Sequence, residues 1–356
     1  MLLVRPVTFA DLPGLERLAV ISGGSMTTLP ANRDHLSDLI NRTQQSLRKE
    51  VTRYGDESYH FVLEDTDTGS IVGISGIDAC VGLNTPFYSY RLDEIVHASQ
   101  DLQIHNRIPS LHLCQDYTGA ARLCTLFIDA DYRTAENLSL LSRARFLFIA
   151  QHPERFSDRL IAEIQGVADD QNRSPFWECV GNHFFFMDFT RANYLTGINS
   201  KGFIAELMPH YPLYVPLLPE AAREVIGVAR ADMNPVVELL KTEGFGTSRY
   251  VDIFDAGPTL ETRTAYAKSV IQSQLSTGLQ CLATHEGDTP LLVSNTLLTH
   301  FRCIQAQATQ DADTIAALSA ALQLEADTPQ ETDITHAPNQ TDTTQIRTEP
   351  QTRCVV

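Results

Sequence analysis

The chain of 356 residues is 43% hydrophobic and 20% charged, enough for a sizeable core and, by length, for two or three folding units. Its formal net charge of -17 argues against broad nucleic-acid binding, which needs basic surface, yet leaves room for a phosphate-bearing ligand held by a local Arg cluster. The seven cysteines (Cys80, Cys114, Cys124, Cys179, Cys281, Cys303 and Cys354) are odd in number, widely spaced and free of any C-x-x-C. Neither a disulfide framework nor a zinc site is expected from them, and a reducing cytoplasm fits. The opening MLLVRPVTFADL breaks its apolar run at Arg5 and Pro6, unlike a signal peptide, and no apolar stretch is long enough to span a bilayer.

Met1 to Val7 reads as a strand. Asp11 then caps a helix with Leu12, Leu15, Leu18 and Ala19 at helical spacing, and a second amphipathic helix is expected from Arg33 to Arg53. His60 to Glu64 and Ser70 to Ile77 read as a hairpin around Asp67-Thr68-Gly69. Residues 79–121 read as an irregular insertion. The continuous apolar run Leu123 to Ile128 predicts a buried central strand, Ala135 to Ala150 a helix and Arg159 to Gln165 a strand. Ser174-Pro175 opens a short helix expected to end at Gly181, before a strand over Phe184 to Phe189. Pro235 to Ala256 echoes that helix–glycine–aromatic strand order, which suggests a duplicated or extended second half. Gln280 to Thr284, Leu291 to Ser294 and Arg302 to Gln307 predict a small β-rich end. The apolar-poor stretch from Ala326 to Val356 is expected to be disordered, with Cys354 carrying no role. The division expected is thus residues 1–190 with the insertion, 191–325, and the tail 326–356.

The element order, with VRPVTFADLPGLERLA at the start and LKTEGF near the end, resembles an α+β Gcn5-related N-acetyltransferase fold: a mixed sheet flanked by helices. Longer strings narrow this. TTLPAN (27–32), FVLEDTDTGSIVGISGI (61–77), IVHAS (95–99), LCTLFIDADYR (123–133), SPFW (174–177), FIAELMP (203–209) and YVDIFDAGPTLE (250–261) resemble the arginine N-succinyltransferase family, in the family's order, over most of residues 1–325. That resemblance implies transfer of succinyl from succinyl-CoA to the α-amine of L-arginine, opening an arginine-catabolic pathway. The coenzyme is then a co-substrate and not a resident cofactor. It also implies a homo-oligomer or a hetero-oligomer with a paralogous subunit, in the cytoplasm, with no nucleic acid, membrane or metal. His105 and His112, seven apart, find no third ligand in the sequence.

The resemblance carries over to named positions. Leu126 falls at the succinyl-CoA contact, on a strand whose N–H would meet the thioester oxygen. Phe127, Arg133 and Asn137 accompany it at the start of the following helix, where free N–H groups receive pyrophosphate. The superfamily's turn reads R-x-x-G-x-G, and Glu136 and Leu138 stand here in place of its glycines. Arg230 occupies the family's proton-donor position, although Arg holds its proton too firmly for acid–base work. His210 and His97 are the candidate relays. Asp116, Asp188 and Asp255 are candidates for pairing with guanidinium, and Arg91 and Arg133 for holding a carboxylate or phosphate. Cys124 is expected to be inert packing. Two other readings stand beside this one: a non-catalytic paralogue that assembles with an active chain, and an acyltransferase for another amine such as ornithine.

Overall fold

The computed structural model describes residues 1–23, 26–197, 206–287, 289–324 and 350–356. Among them, fourteen strands join into one sheet. In chain order they are β1 (Leu2–Pro6), β2 (Ser58–Asp65), β3 (Ser70–Asp78), β4 (Ser89–Ser99), β5 (Ile104–Cys114), β6 (Ala121–Ile128), β7 (Arg159–Glu163), β8 (Leu213–Tyr214), β9 (Gly246–Val251), β10 (Pro258–Arg263), β11 (Gln274–Thr277), β12 (Leu291–Asn295), β13 (Cys303–Ala306) and β14 (Gln351–Val355). They lie in the order β11-β14-β12-β13-β1-β2-β3-β6-β7-β10-β9-β4-β5-β8. The pairing of β6 with β7 is parallel, and its neighbours β3–β6 and β7–β10 are antiparallel.

Strand periodicity assigns the two faces. Phe61, Leu63, Ile77 and Leu123 point to one side, where helix α3 (Ala135–Gln151) covers them with Leu138, Leu141, Ala144 and Phe148. Val62 and Ile74 point to the other side and meet helices α1 (Leu12–Ile21) and α2 (Arg33–Arg48) through Leu15, Leu18, Leu36 and Ile40. Helices thus flank a mixed sheet, as an α+β acyltransferase-like fold requires.

Several local readings are corrected. Residues 79–121 are not irregular: β4 and β5 form a hairpin in continuous register from Ser89↔Cys114 to Ser99↔Ile104. FFFMDF is not a strand, since a helix (Asn182–Phe185) and the start of another (Phe189–Gly197) occupy it. The preceding helix also runs through Gly181, whose missing Cβ makes room for the Trp177 ring. With no strand there, the helix–strand echo of 235–256 disappears. Gln280–Thr284 is helical, while β12 and β13 bear out the β-rich end. The disordered-tail reading fails at the C-terminus. β14 inserts between β11 and β12, with Cys354 and Val355 buried. Residues 326–349 lie outside the described residues.

Candidate active site

Strand β6 changes character halfway along. Gly76 of β3 pairs with Cys124 and Ile74 with Phe127, so Thr125 and Leu126 together oppose the single residue Ser75. This is a β-bulge, and Thr125 takes it at φ 53°, a left-handed conformation that costs a β-branched residue energy and is kept where the surroundings enforce it. On its other edge β6 pairs with β7 only through Ala121↔Leu160, Arg122↔Ile161 and Leu123↔Ala162. Beyond them the strands part, and the chain after β7 turns away: Ile164 N–H donates to Pro258 O, and Gln165 O accepts from Arg230 N–H. The gap holds a cavity of about 120 Å³ lined by Cys124, Thr125, Leu126, Ile164 and Gln165.

Two further cavities share walls with this one. A larger one of about 300 Å³ opens on the α2 face and shares Thr27, Thr28, Arg122, Thr125 and Asp252 with it. A third of about 210 Å³ lies beside the start of α3 and shares Met26, Leu126, Gln165 and Met233. The bulge therefore sits at the middle of a cleft that continues both ways.

The floor is polar and tightly paired. The Arg122 guanidinium donates to Asp78 at 2.7 Å and reaches Glu163 at 3.4 Å. Burial opposes ionisation of Asp78, but the Arg122 charge outweighs it and holds the carboxyl well below the usual range. His60 lies within 3.2 Å of Thr125 Oγ1 and 3.4 Å of both Thr43 and Ser58 hydroxyls. Burial pushes its pKa down to about 4, so it is neutral at pH 7. Gly76 is required beneath it, because a Cβ there would sit 2.6 Å from the imidazole. Burial pushes the Cys124 thiol up to about 12, which removes it as a nucleophile at neutral pH.

One wall carries two carboxyl groups on the turn from β9 to β10. Asp255 accepts from Gly166 N–H and Gly257 N–H, both at 2.8 Å. Asp252 Oδ1 accepts from Phe254 N–H at 2.7 Å and Asp255 N–H at 3.1 Å, and the two side chains hydrogen-bond to each other. Burial, then the neighbouring Asp252 charge, raises Asp255 to about 8, and burial raises Asp252 as well. Asp255 therefore keeps its proton at neutral pH. Both residues line the inner cavity, and Asp252 lines the larger one too.

At the α3 end, Arg230 donates to the Asp232 carboxylate from Nε at 2.6 Å and from one terminal nitrogen at 2.9 Å, and Arg133 donates to Asp232 O at 2.8 Å. The Thr134 hydroxyl caps α3 by accepting from Asn137 N–H at 3.2 Å. Leu126, Phe127, Arg133 and Arg230 line this cavity, so the structure brings those sequence candidates together. Asn137 instead spends its side chain on Tyr132 O at 2.7 Å. Glu136 is exposed and Leu138 is buried under α3.

The other candidates lie elsewhere. His97 is exposed on the β4–β5 hairpin with Tyr214 as its aromatic neighbour, His210 is exposed, and neither lines the three cavities. Arg91 is paired with Asp93 at 2.7 Å and Asp116 at 2.8 Å, and Asp188 caps a helix by accepting from Arg191 N–H. Arg230 is held in its ion pair with Asp232. Sequence reasoning missed Asp252, His60 and the bulge at Thr125. For Asp252 a signal existed: it stands three residues before Asp255 in DIFDAGP, just ahead of a turn.

Comparison with known proteins finds relatives that cover most of the chain. The family described as "Arginine N-succinyltransferase beta subunit" matches residues 2–269. The Pseudomonas aeruginosa arginine N-succinyltransferase subunit beta is 51% identical over 273 residues, covering 77% of this chain and 80% of that one. The subunit alpha of the same organism is 44% identical over 304 residues, covering 85% and 90%. A solved structure, arginine/ornithine succinyltransferase subunit AI from Pseudomonas aeruginosa, superposes with a TM-score of 0.83 at 36% identity, covering 100% of this chain and 98% of that one.

Proposed function

The chain belongs to the arginine N-succinyltransferase family of acyltransferases, and from that premise we propose that it transfers succinyl from succinyl-CoA to the α-amine of L-arginine in arginine catabolism. The observation that carries the reading is the parting of β6 from β7 beside the Thr125 bulge, where three cavities meet. Succinyl-CoA enters from the α3 end. Its pyrophosphate lies by the first turn of α3, with Arg133 and Arg230 supplying the positive charge that the glycine-poor turn lacks. The thioester carbonyl oxygen lies at the Leu126 N–H, a donor aimed at the charge that develops on that oxygen.

Arginine approaches from the larger cavity, among Asp38, Asp78 and Asp252. It arrives as an ammonium ion, and Asp252, the member of the carboxyl pair that lines both cavities, takes one proton in its carboxylate form. The freed lone pair attacks the thioester carbon. The C–N bond forms, the C–S bond breaks, and the departing CoA thiolate takes the second nitrogen proton. A carboxyl pair of raised pKa suits this step, since an ordinary carboxylate is too weak a base for an ammonium. No acyl-cysteine intervenes.

The setting is cytoplasmic, where acyl-CoA is made and seven unbridged cysteines stay reduced. No described helix is long and apolar enough to cross a membrane. Relatives named as alpha and beta subunits support assembly with a second chain of the same family.

The test is thiol release from succinyl-CoA with a panel of amino acids. Arginine is expected to exceed lysine and ornithine in kcat/KM, because a planar guanidinium pairs with carboxylates in a way an ammonium does not. Equal values for arginine and lysine would remove the acceptor assignment. No release with any amine, alone or mixed with a paralogous subunit, would leave a non-catalytic relative.

A further inference from the structure

Arg145 is among the largest fully buried side chains of the protein, with 2% of its surface exposed. It stands on α3 behind the bulged strand and lines the inner cavity together with Cys124, Thr125 and Leu126. A buried guanidinium is costly unless a negative charge answers it, and such groups are nearly always paired. Among the described residues no carboxylate lies within ion-pair distance of Arg145. Its contacts are all neutral: Nε donates to Ser142 O at 3.0 Å, one terminal nitrogen to Ser142 Oγ at 2.7 Å, and the other to Gly76 O at 3.4 Å. A guanidinium carries five N–H donors, so one N–H on each terminal nitrogen is left over on a side chain that lines the cavity.

Arg122 is the other cation of that cavity, and Asp78 and Glu163 already occupy it. The remaining acidic lining, Asp252 and Asp255, would repel an anion. An acyl group bearing its own carboxylate therefore has one unanswered cation to meet when its thioester lies at Leu126.

We propose that Arg145 is the acyl-specificity residue, binding the free carboxylate of a dicarboxylic acyl thioester and so selecting succinyl over acetyl donors. The assignment rests on the donor site argued above. Arg145 touches the far end of the acyl group and takes no part in the bond changes. It also holds the acyl chain in line, because an anchor at the carboxylate and a hydrogen bond at the carbonyl fix both ends. The cost of its unpaired burial in the free protein is recovered when the donor enters.

The test is Arg145→Met, which keeps much of the side chain's bulk and removes charge and donors. kcat/KM is measured for succinyl-CoA and acetyl-CoA with one acceptor, alongside the melting temperature. For succinyl-CoA, kcat/KM is expected to fall on the order of 10- to 100-fold, the range for losing charged hydrogen bonds. Acetyl-CoA turnover should hold or rise, and the melting temperature should not drop, since an unanswered buried charge has gone. A merely structural Arg145 would instead lower stability and damage both donors alike, which overturns the proposal. Arg145→Lys provides the second arm: it keeps the charge, loses the fork, and should fall between the two. Should the Met variant not fold, an unchanged succinyl-to-acetyl ratio in the Lys variant overturns the assignment. If the wild-type chain turns over and its donor preference survives both substitutions, Arg145 alone is misassigned. If wild type releases thiol from neither donor, the parent reading fails and takes this one with it.

Discussion

The two ends of the cleft carry opposite charge. In the cavity beside the start of α3, Arg133 and Arg230 flank the carboxylate of Asp232. Across the bulge, the wall and floor hold Asp78, Glu163, Asp252 and Asp255 around Arg122. The same chain thus has a positive mouth, which the proposed reaction gives to a polyanionic coenzyme, and a negative chamber, which it gives to a cationic amino acid. The overall charge of -17 describes neither end. A charge total speaks to solubility and long-range attraction, while recognition depends on which residues the topology brings to one strand edge. The contrast extends to protons. Arginine at the mouth cannot exchange its proton near neutrality, whereas the carboxyl pair across the bulge titrates there. The proposed proton transfer therefore falls at the acidic end, while the position expected to hold the proton donor, Arg230, lies at the basic one.

Breaking the acidic end is expected to have the largest effect. Asp252 Oδ1 accepts both backbone N–H bonds of its turn, so Asp252→Asn can keep them while losing the base. Its kcat should fall roughly 10²- to 10⁴-fold, the usual contribution of a general base, with KM for succinyl-CoA nearly unchanged. A fall of less than threefold would move the proton acceptor elsewhere. Stability supplies a second readout. Asp255 is raised to about 8 when folded, while an unfolded Asp titrates near about 4. The folded chain therefore holds an extra proton between those values. The stability this gives is complete below the lower value and is lost as pH rises through the upper one. Denaturant midpoints measured from pH 6 to 9 should decline in wild type, and the part due to the pair should vanish in Asp252→Asn.

The next effect tests the sheet and not the cleft. Deleting residues 350–356 removes β14 from between β11 and β12, along with the buried Cys354 and Val355 and the Arg143 hydrogen bond to Val356 O. Each buried side chain is worth roughly 1.5–3 kcal/mol, so a clear drop in melting temperature is expected. An unchanged melting temperature in that deletion would mean that this strand contributes nothing in solution.

How legible these features were in sequence depended on the range of the interaction that fixes them. The β2–β3 hairpin, α3 and the buried β6 follow from local periodicity and turn chemistry, and the structure has them where they were read. The β4–β5 hairpin escaped because its outer half is exposed on both faces and alternates weakly, and because Pro109 stands inside β5. Pro109 is tolerated there because β8 pairs only with Ser110 and Leu111, leaving the strand near an edge. FFFMDF has strand-like composition, yet Phe185 ends one helix and Phe189 opens the next, with Phe186 left-handed between them, and both rings pack on Trp177. Composition cannot separate those cases. The site divides in the same way. Leu126 was located by resemblance to a family string. No local rule places a bulge at Thr125, and no spacing shows that the Asp252 and Asp255 side chains hydrogen-bond to each other. Both depend on β3 and on the chain after β7, which are distant in sequence.

The smallest expected effect concerns the glycine-poor turn. Replacing both Glu136 and Leu138 by Gly would not be a clean test, because Leu138 is buried under α3 and its loss would cost about 3–5 kcal/mol of core packing. Glu136 is separable, since it is exposed in the first turn of α3. The cap already satisfies Asn137 N–H, and Leu138 N–H bonds to Thr134 O, so Ala135 and Glu136 carry the remaining N–H groups of that turn. Glu136→Gln removes the negative charge beside them without loosening the backbone. Solvent screening limits such a surface charge to about 0.3–1 kcal/mol, and the helix loses a favourable dipole contact of similar size. A two- to fivefold tightening of succinyl-CoA binding is therefore expected by calorimetry at low salt (roughly 0.4–1 kcal/mol). It should shrink as salt rises and the screening length falls below about 10 Å. A gain that survives high salt would indicate direct contact between Glu136 and a phosphate. Identical affinities at low salt would mean that the pyrophosphate lies away from the helix end, on the Arg133 and Arg230 side, and that the arginine cluster has taken over the work the glycines do in related turns.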